Sequence, residues 1–552
     1  MHVFTSFRCA LLGLTLALAG CSKYASVSTQ QLTYGATTPA GVRIAAALRH
    51  PDKEPLRQIG GYLDAAAIAG QALKTEPDDT QARTDYNFAL SRLMEVINEA
   101  GFQPWITPLQ CPGEEGPWIV RYETVGPKSP YNPAFFRVLP ADRYEFKGRL
   151  VTERTIKPGL GAPLVINNQG FDATTIDPFA QGRSLYYGLT AIAQFNNRQV
   201  TLTTLDPLAR ETVDFNNRTY PLAADFTAPI GLALAELKPR KMEVARMFKP
   251  DKFKATTRLA RLQPYDPEKI PVLLIHGLGD SQATWAPMIE SLRGDATIRK
   301  NYQFWFFSYP TGYPYPLMAS VLREQLKAMK ATYPDHKKMV VVGHSMGGMI
   351  ARSLITDSGL NLWNAYFNTP PEQTNLPEET LQIMKGALVF QPHPDISRVI
   401  FASASLRGSD MATNLLGRLG SKLIGSPSVL LDGGQEALRL AKPSDVTGNP
   451  ITRMPNSVDA LDPENRFLLT INALPLAPGI PYHSIIGDRG KGGNLNHVKP
   501  VSTDGIVPYW SSHLDGAQSE LIVPSDHWSN QNPQAIAEVN RILKQHLGAA
   551  AR

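Results

Sequence analysis

Met339-Val-Val-Val-Gly-His-Ser-Met-Gly-Gly-Met349 is an apolar run that breaks into a Gly-x-Ser-x-Gly turn and then resumes at helical spacing. Val340, Val341 and Val342 read as a short strand buried on both faces. Met346, Met349, Ile350, Leu354 and Ile355 fall on or near one side of a following helix. A serine between such a strand and such a helix sits on a tight turn that holds its hydroxyl above the sheet. Gly343 and Gly347 have no Cβ to clash where the two elements approach. Ser345 is therefore the candidate nucleophile.

A serine hydroxyl attacks poorly at neutral pH unless a histidine takes its proton and an acid orients that histidine. Two loops downstream, each following a strand pattern, offer both groups: Thr503-Asp504-Gly-Ile-Val-Pro508 and Pro524-Ser-Asp-His527. Asp488, at the very end of its strand, is the rival acid, and Asp526 beside the proposed base is expected to be exposed. His276 and His344 read as structural neighbours of the turns. His336, His393, His483, His497 and His513 lack a strand-end position and read as surface or satisfied core histidines. No residues stand at metal-ligand spacing, and no organic cofactor is implied.

Strand and helix patterns alternate from Ile270 onward, as a parallel sheet with crossover helices requires. Pro271–Ile275, Asn301–Phe307, the Met339 run, Arg398–Ala402, Tyr482–Gly487 and Glu520–Val523 read as strands, with helices over Pro316–Lys330 and from Pro533 to about Leu547. The order Ser345, Asp504, His527, together with Gly343-His-Ser-Met-Gly347, His276-Gly277-Leu278-Gly279 and Asp504-Gly-Ile-Val-Pro508, resembles the α/β-hydrolase family. Within that family it looks most like bacterial lipases and esterases.

The resemblance implies an α/β-hydrolase fold over residues 270–552, a mostly parallel sheet with helices on both faces. Cap insertions are expected at about 356–395 and 405–480. It implies a Ser345–His527–Asp504 triad, with Asp504 preferred to Asp488 because Asp-x-x-Val-Pro matches the family pattern. Oxyanion donors are then the backbone N–H groups of Met346 and Leu278. Trp363, Tyr366 and Phe367 in the first insertion, and Leu415, Leu416, Leu419, Leu423 and Ile424 in the second, would cover the site as a mobile or a fixed apolar cap. The expected activity is hydrolysis of carboxylic esters, of lipid or long-chain type. The same residues could instead transfer the acyl group to another acceptor, or the fold could serve a non-catalytic binding lipoprotein.

A chain of 552 residues is too long for one core, and 43% hydrophobic against 19% charged residues marks it as globular. The formal charge of +6 favours anionic surfaces such as lipid headgroups, and nothing in the chain looks like a nucleic-acid groove. Arg8, the short apolar run Ala10–Ala19 and Leu18-Ala19-Gly20-Cys21 resemble a bacterial lipoprotein signal over residues 1–20. That resemblance implies lipidation of Cys21 and, with Ser22 following, an outer-membrane location. Cys111 is then left without a disulfide partner.

Residues 21–40 read as a polar tether, and 41–240 as an accessory region: a helical hairpin turning at Glu76-Pro77-Asp78-Asp79, then a β-rich part. The β-rich part is expected to form a small sandwich with turns at Asn196-Asn197 and Asn216-Asn217. Residues 241–269 read as a basic linker. The surrounding run from Lys238 to Arg261, with Arg240, Lys241, Arg246, Lys249, Lys252, Lys254 and Arg258, is either a solvated connector or a contact for anionic headgroups.

Overall fold

The computed structural model describes residues 24–49, 54–123, 136–168, 170–409, 456–490 and 503–550. The signal segment, Cys21, His497 and the apolar residues Leu415 to Ile424 lie outside them.

In the N-terminal region three helices, α1 (Pro39–Leu48), α2 (Pro55–Thr75) and α3 (Thr80–Glu99), pack on a six-stranded sheet. The strand order is β2 (Leu109–Gly113), β3 (Gly116–Glu123), β9 (Gln199–Leu205), β8 (Tyr186–Asn196), β7 (Ala162–Asn167), β4 (Arg137–Pro140). Two-stranded ribbons join β1 (Ser26–Thr29) to β5 (Tyr144–Lys147), β6 (Ile156–Lys157) to β12 (Ala224–Asp225), and β10 (Thr212–Phe215) to β11 (Arg218–Pro221). The expected hairpin is α2 and α3, and the expected sandwich is instead one sheet with helices on it. Ile59, Leu63, Tyr86, Leu90 and Leu93 from the helices share a core with Leu164, Ile166, Ile192 and Leu202 from the strands. The opposite face of β7 and β8 is covered by α4 (Ala228–Leu237), through Val165, Tyr186, Ala228 and Leu232. Cover on both faces explains why β8 is buried almost continuously rather than alternately. Both hairpin turns use left-handed residues, Asn197 and Arg198 between β8 and β9, and Asn216 and Asn217 between β10 and β11. That geometry matches the twist of the paired strands.

The tether reading is corrected in part. Ser26–Thr29 pairs antiparallel with Tyr144–Lys147, and the Tyr24 hydroxyl donates to Glu243 at 2.7 Å, so this stretch is fixed to the fold. The linker reading is corrected as well. Residues 239–248 form helix α5 (Pro239–Phe248), and Arg258–Arg261 is strand β13 of the C-terminal sheet. The charges concealed this strand. The run divides by side-chain type: Arg246 and Arg261 are buried and Arg240 and Arg258 half-buried, whereas Lys238, Lys241, Lys249, Lys252 and Lys254 face solvent. Arg261 makes an ion pair with Asp177, which lets a cation sit in a buried edge strand.

The C-terminal half carries the α/β-hydrolase fold. Its seven-stranded sheet runs β13, β15 (Tyr302–Ser308), β14 (Ile270–Ile275), β16 (Met339–His344), β17 (Ile396–Ala402), β18 (Tyr482–Asp488), β19 (Ser519–Pro524). Only β13 is antiparallel to its neighbour. Alternate residues of the central strands enter different cores. Leu273, Ile275 and Val341 meet α7 (Tyr315–Thr332) and α8 (Met346–Ser353) on one side. Val272, Leu274, Val340 and Val342 meet α6 (Ala286–Gly294) and α9 (Pro533–Ala550) on the other. The first cap insertion is packed on the former core: Trp363 and Phe367 are buried and stacked 4.4 Å apart. Among the described residues no helix is long and apolar enough to cross a membrane.

The two halves touch through charged contacts. Arg299 grips Glu211 with two parallel bonds, Nε to Oε1 at 2.7 Å and Nη2 to Oε2 at 2.8 Å, while Lys157 donates to the same carboxylate at 2.6 Å. Burial alone would raise the Glu211 pKa, yet the hydrogen bonds from Arg299 and Lys157 outweigh it and hold the carboxyl at about 2. Since the folded value lies below the unfolded one, this contact stabilises fully above about pH 4.5 and is lost as pH falls through about 2. Wild type should therefore lose more stability than Glu211→Gln between those pH values in an acid titration followed by circular dichroism. Equal losses would remove Glu211 as a source of the acid sensitivity.

Candidate active site

Strand β16 delivers Ser345 and helix α8 carries the chain away from it. The serine takes φ 54° and ψ −125°, a conformation that costs a non-glycine residue energy and that the fold must hold in place. Its neighbours are correspondingly close. A Cβ on Gly347 would lie 2.2 Å from the Ile275 carbonyl oxygen, and one on Gly277 would lie 2.8 Å from the Ser345 Cβ. Backbone cannot step aside as a flexible side chain can. Gly347→Ala is expected to cost about 1–3 kcal/mol or more by overpacking, read as a lowered Tm; an unchanged Tm would show that the strand and helix have room to separate.

The loop after β19 brings His527 to the serine, and the loop after β18 brings Asp504 to the histidine. His527 Nε2 lies 2.8 Å from Ser345 Oγ, and His527 Nδ1 lies 2.8 Å from Asp504 Oδ2. All three side chains are buried. The second Asp504 oxygen accepts the backbone N–H groups of Ile506 at 2.8 Å and Val507 at 2.7 Å. Burial pushes the Asp504 pKa up, but the bond to His527, its charge and those two N–H groups prevail, and the carboxyl sits below its ordinary value. It is an anion aimed at the ring. Asp488 does not reach the histidine: its Oδ1 accepts the Gly490 N–H at 2.7 Å. Asp526 is exposed, as expected.

The Met346 N–H opens helix α8, where no carbonyl one turn back can accept it. In the turn beside the serine the Gly279 N–H donates to Thr311 Oγ1 at 3.1 Å, so of the two residues Leu278 and Gly279 it is Leu278 whose N–H can serve an oxyanion. His276 is packed away, its ring stacked on Tyr309 at 4.4 Å and its carbonyl accepting the Tyr309 hydroxyl at 2.6 Å.

His344 has a more specific place than a neighbour of the turn. Its Nε2–H donates to the His527 carbonyl at 2.8 Å. Burial first, and the nearby His527 second, lower its pKa to about 3, so the ring is neutral and the donating tautomer is fixed. Three further residues had no signal in the sequence. Ser403, at φ 42° just beyond β17, donates to Ser529 at 2.8 Å and accepts the Gly487 N–H at 3.2 Å, tying three loops together. Arg149, from the N-terminal region, lies over the ring of Trp528 at 4.3 Å, next to the catalytic candidate His527. Asp280, buried close to His344, has its pKa raised to about 7 by burial and by Glu243.

Of the remaining histidines, His336 faces Asp395, His483 contacts Arg398 and Ser519, and His513 contacts Glu520, while His393 lies in the first insertion before β17. Among the described residues no three or more His, Cys, Asp or Glu side chains are grouped to hold a metal ion.

Residues 272–539 match the family described as "Alpha/beta hydrolase family". Among solved structures the chain is similar to the mature lipase BlEst2 of Bacillus licheniformis, at 19% identity over 52% of this chain and 97% of that one, with a TM-score of 0.32. It is also similar to a metagenomic carboxyl esterase, at 15% identity over 55% of this chain and 91% of that one, with a TM-score of 0.27. No curated protein matches the chain in sequence.

Proposed function

We propose that the protein is a serine hydrolase of carboxylic esters that works through an acyl-enzyme on Ser345. The observation that carries this reading is the unbroken line from Ser345 Oγ through His527 to Asp504, with 2.8 Å at both joints. His527 Nε2 takes the hydroxyl proton as Oγ bonds to the acyl carbon, and Asp504 steadies the resulting imidazolium. The carbonyl oxygen, now negative, accepts from the Met346 and Leu278 N–H groups, each worth on the order of 3 kcal/mol in the transition state. Collapse of the tetrahedral intermediate breaks the ester C–O bond, and the alcohol leaves with the proton from His527. Water, deprotonated by the same histidine, then releases the acid and restores Ser345.

The substrate is proposed to be a lipid or long-chain ester. The apolar first insertion supports this, as does the Leu-Ala-Gly-Cys21 pattern, from which we propose that lipidated Cys21 anchors the protein at the bacterial outer membrane. The five solvent-facing lysines of the 238–254 run suit contact with anionic headgroups. A series of p-nitrophenyl esters of increasing chain length tests the reading. Saturable hydrolysis that rises with chain length is expected; no hydrolysis of any member would leave the fold as a binding scaffold.

A further inference from the structure

A cavity of about 290 Å³ lies at the junction of the two halves, apart from Ser345, Asp504 and His527, none of which lines it. Ile230 and Leu234 from α4 and Met242 from α5 wall one side, and Ala286 and Ile289 from α6 with Phe306 from β15 wall the other. Arg246 and Arg258 line it, and each keeps one buried guanidinium N–H without an acceptor. Arg246, 4% exposed, gives one Nη to Ser308 Oγ at 3.1 Å, but its Nε has no partner. Arg258, from β13, has a buried Nη2 with no partner, and Asp172 offsets part of its charge from a distance. Glu243 is the one carboxylate among the lining residues, and both its oxygens are engaged, by the Tyr24 hydroxyl and by the Ser281 hydroxyl, each at 2.7 Å.

Arginines lining an apolar cavity whose one carboxylate is already engaged leave positive charge uncompensated there, which suits a ligand that brings an anionic group. A small inorganic anion would satisfy them but leave the apolar walls bare. A chain bearing a carboxylate at one end matches both surfaces, and the exposed side chains of Leu237 and Met242 extend the apolar wall to the mouth. We propose that this cavity binds a single long-chain carboxylate, with its head on Arg246 and Arg258 and its tail between α4 and α6. The site is independent of any chemistry at Ser345.

Calorimetric titration of the full chain with laurate below its micellar concentration tests this. One saturable site is expected, weakened about tenfold or more in Arg258→Gln and in the Arg246→Gln/Arg258→Gln pair, as for a lost charge-assisted bond. Ala233→Phe, which narrows the cavity from α4, and Ala286→Phe, which narrows it from α6, should each abolish binding, with the Tm of every variant checking that it folds. Dodecyltrimethylammonium should not compete. Absence of saturable binding would overturn the proposal. So would unchanged affinity in a folded Ala233→Phe or Ala286→Phe variant, because laurate would then lie elsewhere, for instance at Ser345.

Discussion

Ser345→Ala is expected to lower ester hydrolysis by on the order of 10⁴-fold or more while leaving the protein folded. The nucleophile is the group that every later step depends on, so only transition-state binding by the oxyanion donors survives its removal. The substitution adds no strain, because alanine meets the same steric cost as serine at φ 54°. Ser345→Gly makes a sharper companion. Glycine adopts that conformation freely, so this variant should be equally inactive yet more stable, by about 1 kcal/mol. Assays and thermal melts on the pair separate chemistry from folding. Retained activity in either variant would remove Ser345 from the mechanism, and a lowered Tm in the glycine variant would contradict the strained turn.

Asp504→Asn is expected to cost on the order of 10⁴-fold in kcat, whereas Asp488→Asn should keep most of the activity. The reason lies in what each oxygen touches. Asp504 Oδ1 is held by the Ile506 and Val507 N–H groups, which leaves Oδ2 for the ring. An amide in that pose presents its NH₂ to His527 Nδ1 and favours the tautomer whose Nε2 already carries a proton, so the serine loses its base. Asp488 stabilises its own loop and makes no bond to the ring. The reverse ranking of the two variants in kcat would transfer the acid's role to Asp488.

The strand, tight turn and helix around the candidate nucleophile Ser345 were legible because they are encoded within a few consecutive residues. His527 was legible for a similar reason, lying directly after a strand. Asp504 was harder, since residues 489–503 separate it from the end of β18. The structure explains how it reaches the ring. A Cβ on Gly487 would stand 3.0 Å from the Asp504 Cβ, so the glycine at the strand end makes room for the acid. Strand β13 was not legible, because Arg258-Leu-Ala-Arg261 carries a charge at each end and only distant partners such as Asp177 make its burial tolerable. The contributions of Ser403 and Arg149 were hidden for the same reason: each acts on residues more than 80 positions away. The local code located the candidate site, and long-range pairing supplies the contacts around it.

The most direct test of the account is mass spectrometry of the protein after reaction with a p-nitrophenyl alkylphosphonate, which traps a nucleophile of this kind as a stable ester. One adduct per chain, on the peptide containing Ser345, is expected to appear in step with the loss of esterase activity and to be absent from His527→Ala. Inactivation with the adduct on another residue, or full activity remaining after Ser345 is modified, would contradict the assignment of Ser345 as the acyl-bearing residue.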